Sequence, residues 1–131
     1  MAPEPVADAR RTKGRAARES GYDAEGAAAN YLMGQGVQII ARNFRSKGGE
    51  LDLVALDDDT LAFVEVRLRS HGCFGGAEES ITPAKQRKII RTAQLFLAKN
   101  PAHANKPCRF DCVLMNAPGN FQWVRDAFRL D

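Results

Sequence analysis

Residues 48–70 have the sequence GGELDLVALDDDTLAFVEVRLRS, in which apolar and polar side chains alternate on both sides of an acidic centre at residues 57–59. A period of two is typical of β-strands, and a polar cluster between two such runs is typical of a turn. This segment therefore predicts two antiparallel strands joined as a hairpin.

The length of the turn sets the register of the predicted hairpin. If residues 58–59 form the tip, Asp57 faces Thr60, and continuing the pairing places Asp52 directly opposite Glu65. Directly opposed side chains share one face of the sheet, with Cβ atoms about 4.5–5.5 Å apart. A loop one residue longer or shorter would put the two acids on opposite faces.

Two carboxylates held together on one face repel each other, and a cation between them removes that penalty. Hard divalent ions such as Mg²⁺ bind carboxylate oxygens and retain several waters. Asp52 and Glu65 are therefore a candidate metal site. The alternative is that they are two ordinary polar positions on a half-solvated sheet.

The hairpin resembles the paired-strand core of the PD-(D/E)XK nuclease superfamily in GELDLV (residues 49–54) and FVEVR (residues 63–67). Within that superfamily, the chain resembles the bacterial YraN family, which is thought to be related to Holliday junction resolvases. The resemblance runs in order from about Gly14 to Phe128. Further matching stretches are GYDAEGAAANYL (residues 21–32), ARNFR (residues 41–45), ITPAKQRK (residues 81–88) and RFDCV (residues 109–113).

The predicted fold is α/β, with a mixed sheet of about five strands flanked by helices in the order α-β-β-β-α-β-β. The resemblance implies that this is a restriction-endonuclease-like core. We expect one domain over residues 14–131, a flexible basic tail at residues 1–13 and a mobile Gly-rich loop at residues 70–81. Outside the hairpin the predicted elements are a helix from about Arg15 to Met33, a strand from Val37 to Phe44, a helix between Thr82 as N-cap and Asn100, and strands at Cys108–Met115 and Asn120–Val124.

Composition restricts the class of protein. The chain has 131 residues, enough for one core, and no apolar run approaches the roughly 20 residues that span a bilayer. The N-terminus lacks the apolar region of a secretory signal. Cys73, Cys108 and Cys112 are odd in number and lack zinc-site spacing, so we expect free thiols. These features predict a cytoplasmic protein without membrane contact.

By resemblance, Asp52 is the central metal ligand, Glu65 the second, and the backbone carbonyl of Val66 the third, with Mg²⁺ or Mn²⁺ bound weakly without substrate. Glu25 matches the acid that the family carries on its first helix, where it would reach the metal directly or through water. An ordinary solvated helix position is the alternative for Glu25.

Arg67 occupies the position where the superfamily usually carries a catalytic Lys. Arginine keeps the positive charge and can grip a phosphate with two nitrogens, but it cannot be deprotonated. The sequence therefore leaves three outcomes open: weak activity, rescue by another base, or binding without catalysis.

Several other residues are candidates for nucleic-acid contacts. Net charge is only +3, but basic residues crowd the N-terminal arm and the second helix, as suits phosphate backbones. Solvated helix faces are the alternative. The candidate nucleic-acid-binding residues are Lys85, Arg87, Lys88 and Arg45.

Four further positions have two readings each. Gln86 resembles a helical residue placed beside the scissile phosphate, or it is an exposed first-turn residue. Glu50 is a metal ligand or a cross-strand partner of Arg67. For Asn43 we favour completion of a turn over orientation of the site. Arg109 and Asp111 match the family, but we favour a structural ion pair.

Three functions follow from these residues. The first is a metal-dependent endonuclease acting on DNA, with branched DNA implied by the resolvase resemblance. A resolvase that cuts two strands symmetrically would act as a homodimer. The second is a nucleic-acid-binding domain of the same fold whose catalysis is impaired by Arg67. The third is a small protein-interaction scaffold.

Overall fold

The hairpin lies at the centre of a five-stranded mixed sheet whose strands are arranged in chain order. The protein is seen as a computed structural model that describes residues 23–68, 81–117 and 119–129. β3 and β4 are parallel, and the other neighbouring strands are antiparallel. The elements are α1 (Ala24–Gly34), β1 (Gln38–Ser46), β2 (Gly49–Asp57), β3 (Thr60–Leu68), α2 (Pro83–Lys99), a 3₁₀ turn (Pro101–His103), β4 (Cys108–Ala117) and β5 (Asn120–Phe128).

The predicted element order and mixed sheet are confirmed. α2 begins and ends as expected. It begins after Thr82 because the Thr82 side chain accepts a hydrogen bond from the Lys85 N–H and Pro83 occupies the first turn. None of the helices in the described ranges is long and apolar enough to cross a membrane. The predicted tail, most of the loop at residues 70–81, and Cys73 lie outside the described residues.

The predicted helix from about Arg15 to Met33 is not continuous. Asp23 has an extended backbone and α1 begins after it, at Ala24, while residues 15–22 of the prediction lie outside the described residues. The Asp23 carboxylate accepts a hydrogen bond of 3.1 Å from the Gly26 N–H. Aspartate is a favoured N-cap because its oxygen satisfies an otherwise unbonded amide, so α1 starts here.

The register of the hairpin is confirmed along most of its length. Asp57 pairs with Thr60, and the pairing continues without a shift to Leu53 and Val64. Asp58 at the tip has φ of 54°, a left-handed conformation that Asp adopts more readily than most residues. The next positions along this register are Asp52 and Glu65.

The sheet buries both of its faces. On the α2 face, Val54, Leu61 and Phe63 pack with Ile89 and Phe96. On the α1 face, side chains that alternate with these pack against α1; they are Leu53, Ala55, Ala62 and Val64, against Ala28, Ala29 and Leu32. The two helices therefore lie on opposite sides of the hairpin.

A buried carboxylate organises the α1 face at β4 and β5. Asp111 is fully buried and accepts four hydrogen bonds: two from Arg109, one from the Trp123 indole and one from the Asp126 N–H, at 2.8–3.0 Å. Arg109 also donates to Asp57, at 3.0 Å. Arg109 and Asp111 thus form the structural ion pair that we favoured from the sequence.

Asp111→Ala should lower the free energy of unfolding by about 3–5 kcal/mol, because it leaves a partly buried guanidinium and two further donors without their acceptor. Urea unfolding of the variant and the wild type measures the difference. The control is Asp59→Ala at the exposed hairpin tip, which should stay within about 0.5 kcal/mol of wild type. Equal stabilities of the two variants would contradict this account of Asp111.

Candidate functional site

The β2–β3 ladder ends where the two candidate acids begin. The last backbone pair is Leu53 with Val64. In a two-residue hairpin every second pair exchanges hydrogen bonds, and by that alternation the Val66 N–H would next bond the backbone of Leu51. It donates instead to the Asp52 Oδ2, at 2.9 Å. The Asp52 carboxylate thus takes the place of a backbone acceptor in the ladder.

The alternation of side chains along β2 is interrupted at this point. Leu51 and Val54 both pack on the α2 face, although an uninterrupted strand would put residues three apart on opposite faces. The neighbouring strand β1 is irregular here, since its register shifts between Ile39 and Ala41 and Asn43 has φ of 53°. Asn43 therefore lies inside β1, and our expectation that it completes a turn is wrong.

The two acids open into one pocket of about 480 Å³ on the α2 face. Asp52 and Glu65 are almost fully buried, with only 3% and 5% of their surfaces exposed. The pocket is walled by the ends of β2 and β3 and by the first turns of α2. Its lining residues are Gly49, Glu50, Asp52, Glu65, Val66, Arg67, Thr82, Ala84, Lys85, Lys88 and Ile89.

The charged side chains of the pocket affect the pKa of a buried thiol beneath it. Cys112 is the β4 partner of Glu65 and is fully buried. Burial first, and then the charges of Glu65 and Asp52, raise the pKa of Cys112 to about 12, while Arg67 acts to lower that pKa. Asp52, Glu65 and Arg67 are therefore all close enough to the Cys112 thiol to affect its pKa.

The cationic wall comes from α2. Lys85 and Lys88 line the pocket, whereas Arg87 and Gln86 are not among its lining residues in the described part of the chain. The Gln86 side-chain amide donates to the Ile81 carbonyl at 2.9 Å, so it ties the start of α2 to the segment before it. Of the candidate residues at the start of α2, Lys85 and Lys88 therefore belong to the pocket, and Gln86 and Arg87 do not.

Glu50 and Arg45 are cross-strand partners at the β1–β2 end of the pocket. The Arg45 Nε lies 3.3 Å from the Glu50 Oε1. This contact gives Glu50 an ion-pair role, with Arg45 as a partner.

Glu25 lies in the first turn of α1, on the opposite face of the sheet from α2. Asp23, at the start of the same helix, is 3.7 Å from Arg42, whose partner on β2 is Leu53. The beginning of α1 therefore lies at the level of Asp52 along the sheet. Glu25 is not among the described residues that line the pocket.

The donors present fit a hard divalent ion. Asp52 and Glu65 share the pocket, and the N–H and C=O of a strand residue point toward the same neighbour, so the Val66 carbonyl is directed toward β2 as well. Mg²⁺ is usually held by one or two carboxylates and completes its shell with water and substrate phosphate. In the described residues, no three His, Cys, Asp or Glu side chains form a metal-holding group.

Comparison with known proteins places the chain in a family. Residues 24–115 match the model of the uncharacterised protein family UPF0102. The chain belongs to this family. A UPF0102 protein of Pseudomonas putida (strain GB-1) is 52% identical over 113 residues, covering 83% of this chain and 92% of the relative. One from Alcanivorax borkumensis is 46% identical over 118 residues, covering 87% and 94%.

A third UPF0102 relative, from Methylobacillus flagellatus, is 47% identical over 113 residues and covers 85% of this chain and 97% of its own. The resemblance to the YraN family, to which UPF0102 corresponds, is confirmed by these matches. The description of the family names no activity, so the chemistry of the pocket rests on its own residues.

Sequence reasoning missed two features of the site. Gly49 lies so close to α2 that a Cβ there would be 3.0 Å from the Thr92 hydroxyl, so a side chain at this end of β2 would have to displace that hydroxyl. The other is Cys112, which RFDCV contains but whose position under Glu65 depends on the parallel β3–β4 pairing. The Gly48–Gly49 doublet was a signal for the close approach of Gly49 to α2. No local pattern of residues indicated the position of Cys112.

Cys112 should be unreactive toward a thiol reagent at about pH 8 in the native protein, because the folded state holds its proton. The folded pKa is raised from 9.0 to about 12, so Cys112 stabilises the fold below pH 9 and this contribution is lost as the pH rises toward 12. The protein to label is Cys73→Ser/Cys108→Ser, native and denatured.

The control is Cys73→Ser/Cys112→Ser, which retains Cys108, a free and exposed thiol that should react in the native state. Native labelling of Cys112 as fast as that of Cys108 would contradict the burial and charge described above.

Proposed function

We propose that the protein is a metal-dependent endonuclease that hydrolyses phosphodiester bonds in DNA. The observation that carries the proposal is the pocket itself, in which Asp52 and Glu65 lie beside three cationic side chains, those of Arg67, Lys85 and Lys88. Paired acids suit a divalent ion, and cations around them suit a phosphate. Branched DNA is the substrate class that the resolvase resemblance adds.

Asp52 and Glu65 would hold Mg²⁺ or Mn²⁺, with the Val66 carbonyl beside them. A bound divalent ion would supply an activated water and would stabilise the negative charge on the phosphoryl oxygens. The hydrogen bond from the Val66 N–H keeps the Asp52 carboxylate oriented in the pocket. Arg67 and the two lysines would orient the phosphate and offset its charge.

Arg67 separates this proposal from a second one. It lines the pocket at the position where the resemblance implies Lys, and a guanidinium cannot act as a base. A domain that binds nucleic acid with little catalysis is therefore the second candidate. The amines of Lys85 and Lys88 in the same pocket favour the enzyme, because they place lysine near the acids from another element.

Asp52→Asn should reduce Mn²⁺-dependent cleavage by at least about a hundredfold, because one ligand of the ion is lost. The assay uses supercoiled, flapped and four-way DNA with Mg²⁺, Mn²⁺ or EDTA. The control Asp59→Asn makes the same chemical change at the exposed hairpin tip and should retain activity.

A Mn²⁺ titration of the DNA-free protein supports the assay. Binding should be weak, in about the millimolar range, and should be lost in the Asp52→Asn/Glu65→Gln variant. The metal assignment would be wrong if both proteins bound Mn²⁺ with the same affinity.

Arg67→Lys should increase cleavage if the missing component is an amine near the attacking water. A positioned acid or base contributes about 10²–10⁴-fold, which sets the upper range of the gain. Single-turnover cleavage at saturating DNA and Mn²⁺ measures it. Weaker DNA binding without faster cleavage would instead identify Arg67 as a phosphate clamp, and no cleavage by either protein would favour the non-catalytic binder.

A further inference from the structure

α2 carries a charge distribution that is unfavourable for an isolated helix. Its 17 residues contain no acid, and four cations lie between Lys85 and Arg91 in its N-terminal half. Cations three or four residues apart repel each other, and the N-terminal end of a helix is itself positive. An anionic ligand along this half of α2 would offset both costs.

The β1–β2 turn is packed along the same part of α2. The Ser46 hydroxyl lies 3.5 Å from the Thr92 hydroxyl, which also donates to the Lys88 carbonyl at 2.8 Å. A Cβ built on Gly49 would be 3.6 Å from the Lys88 Cβ, and one built on Gly48 would be 3.7 Å from the Arg91 guanidinium. The turn therefore follows α2 away from the pocket.

Three cations form one ridge along this junction. Lys85, Lys88 and Arg91 are spaced three residues apart, and the rise of a helix makes the ridge about 9 Å long. Lys85 and Lys88 begin it inside the pocket, and Arg91 extends it over Gly48. The exposed Lys47 in the turn continues it. Within the described residues, none of these four cations has an ion-pair partner.

Arg45 and Arg87, the two other residues predicted to bind nucleic acid, do not belong to this ridge. Arg45 is paired with Glu50 at 3.3 Å, so its charge is already balanced. Arg87 lies one helical turn before Arg91, but it does not line the pocket, and a Cβ built on Gly48 would meet Arg91 and not Arg87 within 4 Å. The structure thus divides the basic cluster into cations on the junction and cations off it.

We propose that Lys85, Lys88, Arg91 and Lys47 form a phosphate track that receives one nucleic-acid strand as it leaves the pocket. The track rests on the proposed function, because its first two members also line the proposed active site. At about 3.4 Å of rise per nucleotide, 9 Å spans two to three steps of one strand. Recognition is through the backbone and independent of base sequence.

The test measures binding apart from cleavage. Affinity for a labelled duplex of about 20 base pairs is determined in EDTA over a series of salt concentrations for wild type and single Ala variants. Arg91→Ala and Lys47→Ala should each weaken binding about five- to tenfold at low salt and reduce the slope of log K against log salt by about 0.9. Arg91→Lys should restore most of that slope.

The comparison variants are Arg87→Ala, from the same helix, and Lys99→Ala, from its last turn; each removes one positive charge. Both should change the slope by much less than Arg91→Ala does. Equal losses from Arg87→Ala, Lys99→Ala and Arg91→Ala would overturn the track, since binding would then follow net charge alone. Thermal unfolding of each variant checks that a loss does not come from the fold.

The outcome also separates the track from the nuclease proposal. Selective loss of binding in Arg91→Ala and Lys47→Ala, with no cleavage by the wild type, would support the track and count against the enzyme. Asp52-dependent cleavage with no selective effect of either variant would overturn the track and leave the enzyme in place. Absence of binding by the wild type at low salt would overturn the track directly.

Discussion

The two-residue turn between β2 and β3 is the constraint on which the rest of the structure depends. It sets Asp57 opposite Thr60, and every later pair follows, down to Leu53 and Val64. One residue more or less would exchange the faces of β3 relative to β2. Both core clusters and the common pocket of the two acids rest on this register.

The two faces of the sheet carry their polar groups differently. On the α1 face, Asp111 accepts hydrogen bonds from Arg109, Trp123 and Asp126, so groups within the fold satisfy its carboxylate. On the α2 face, Asp52 and Glu65 line an open pocket beside cationic side chains. A buried carboxylate is tolerated when donors satisfy it, and one at a pocket can in addition accept a ligand.

Much of the site was predictable because its two acids belong to one local hairpin. The alternation of LDLV and FVEV and the length of the turn were enough to place Asp52 and Glu65 on one face. The positions of Arg45 and Gln86 were not, because their contacts join β1 to β2 and the start of α2 to its preceding segment. Asn43 failed as a turn residue since its left-handed backbone sits inside a strand that is bulged against β2.

Sequence alone determined the order of the elements, the hairpin register and both ends of α2, because each depends on residues within a few positions of one another. It did not determine the break at Asp23, because the apolar periodicity of the sequence runs through this residue, whereas in the structure its carboxylate caps the start of α1 at the Gly26 N–H. Only the tertiary structure brought Lys88 and Arg91 against the β1–β2 turn and Cys112 beneath Glu65. Those contacts arise from packing α2 and β4 on the sheet, which no local pattern of residues encodes.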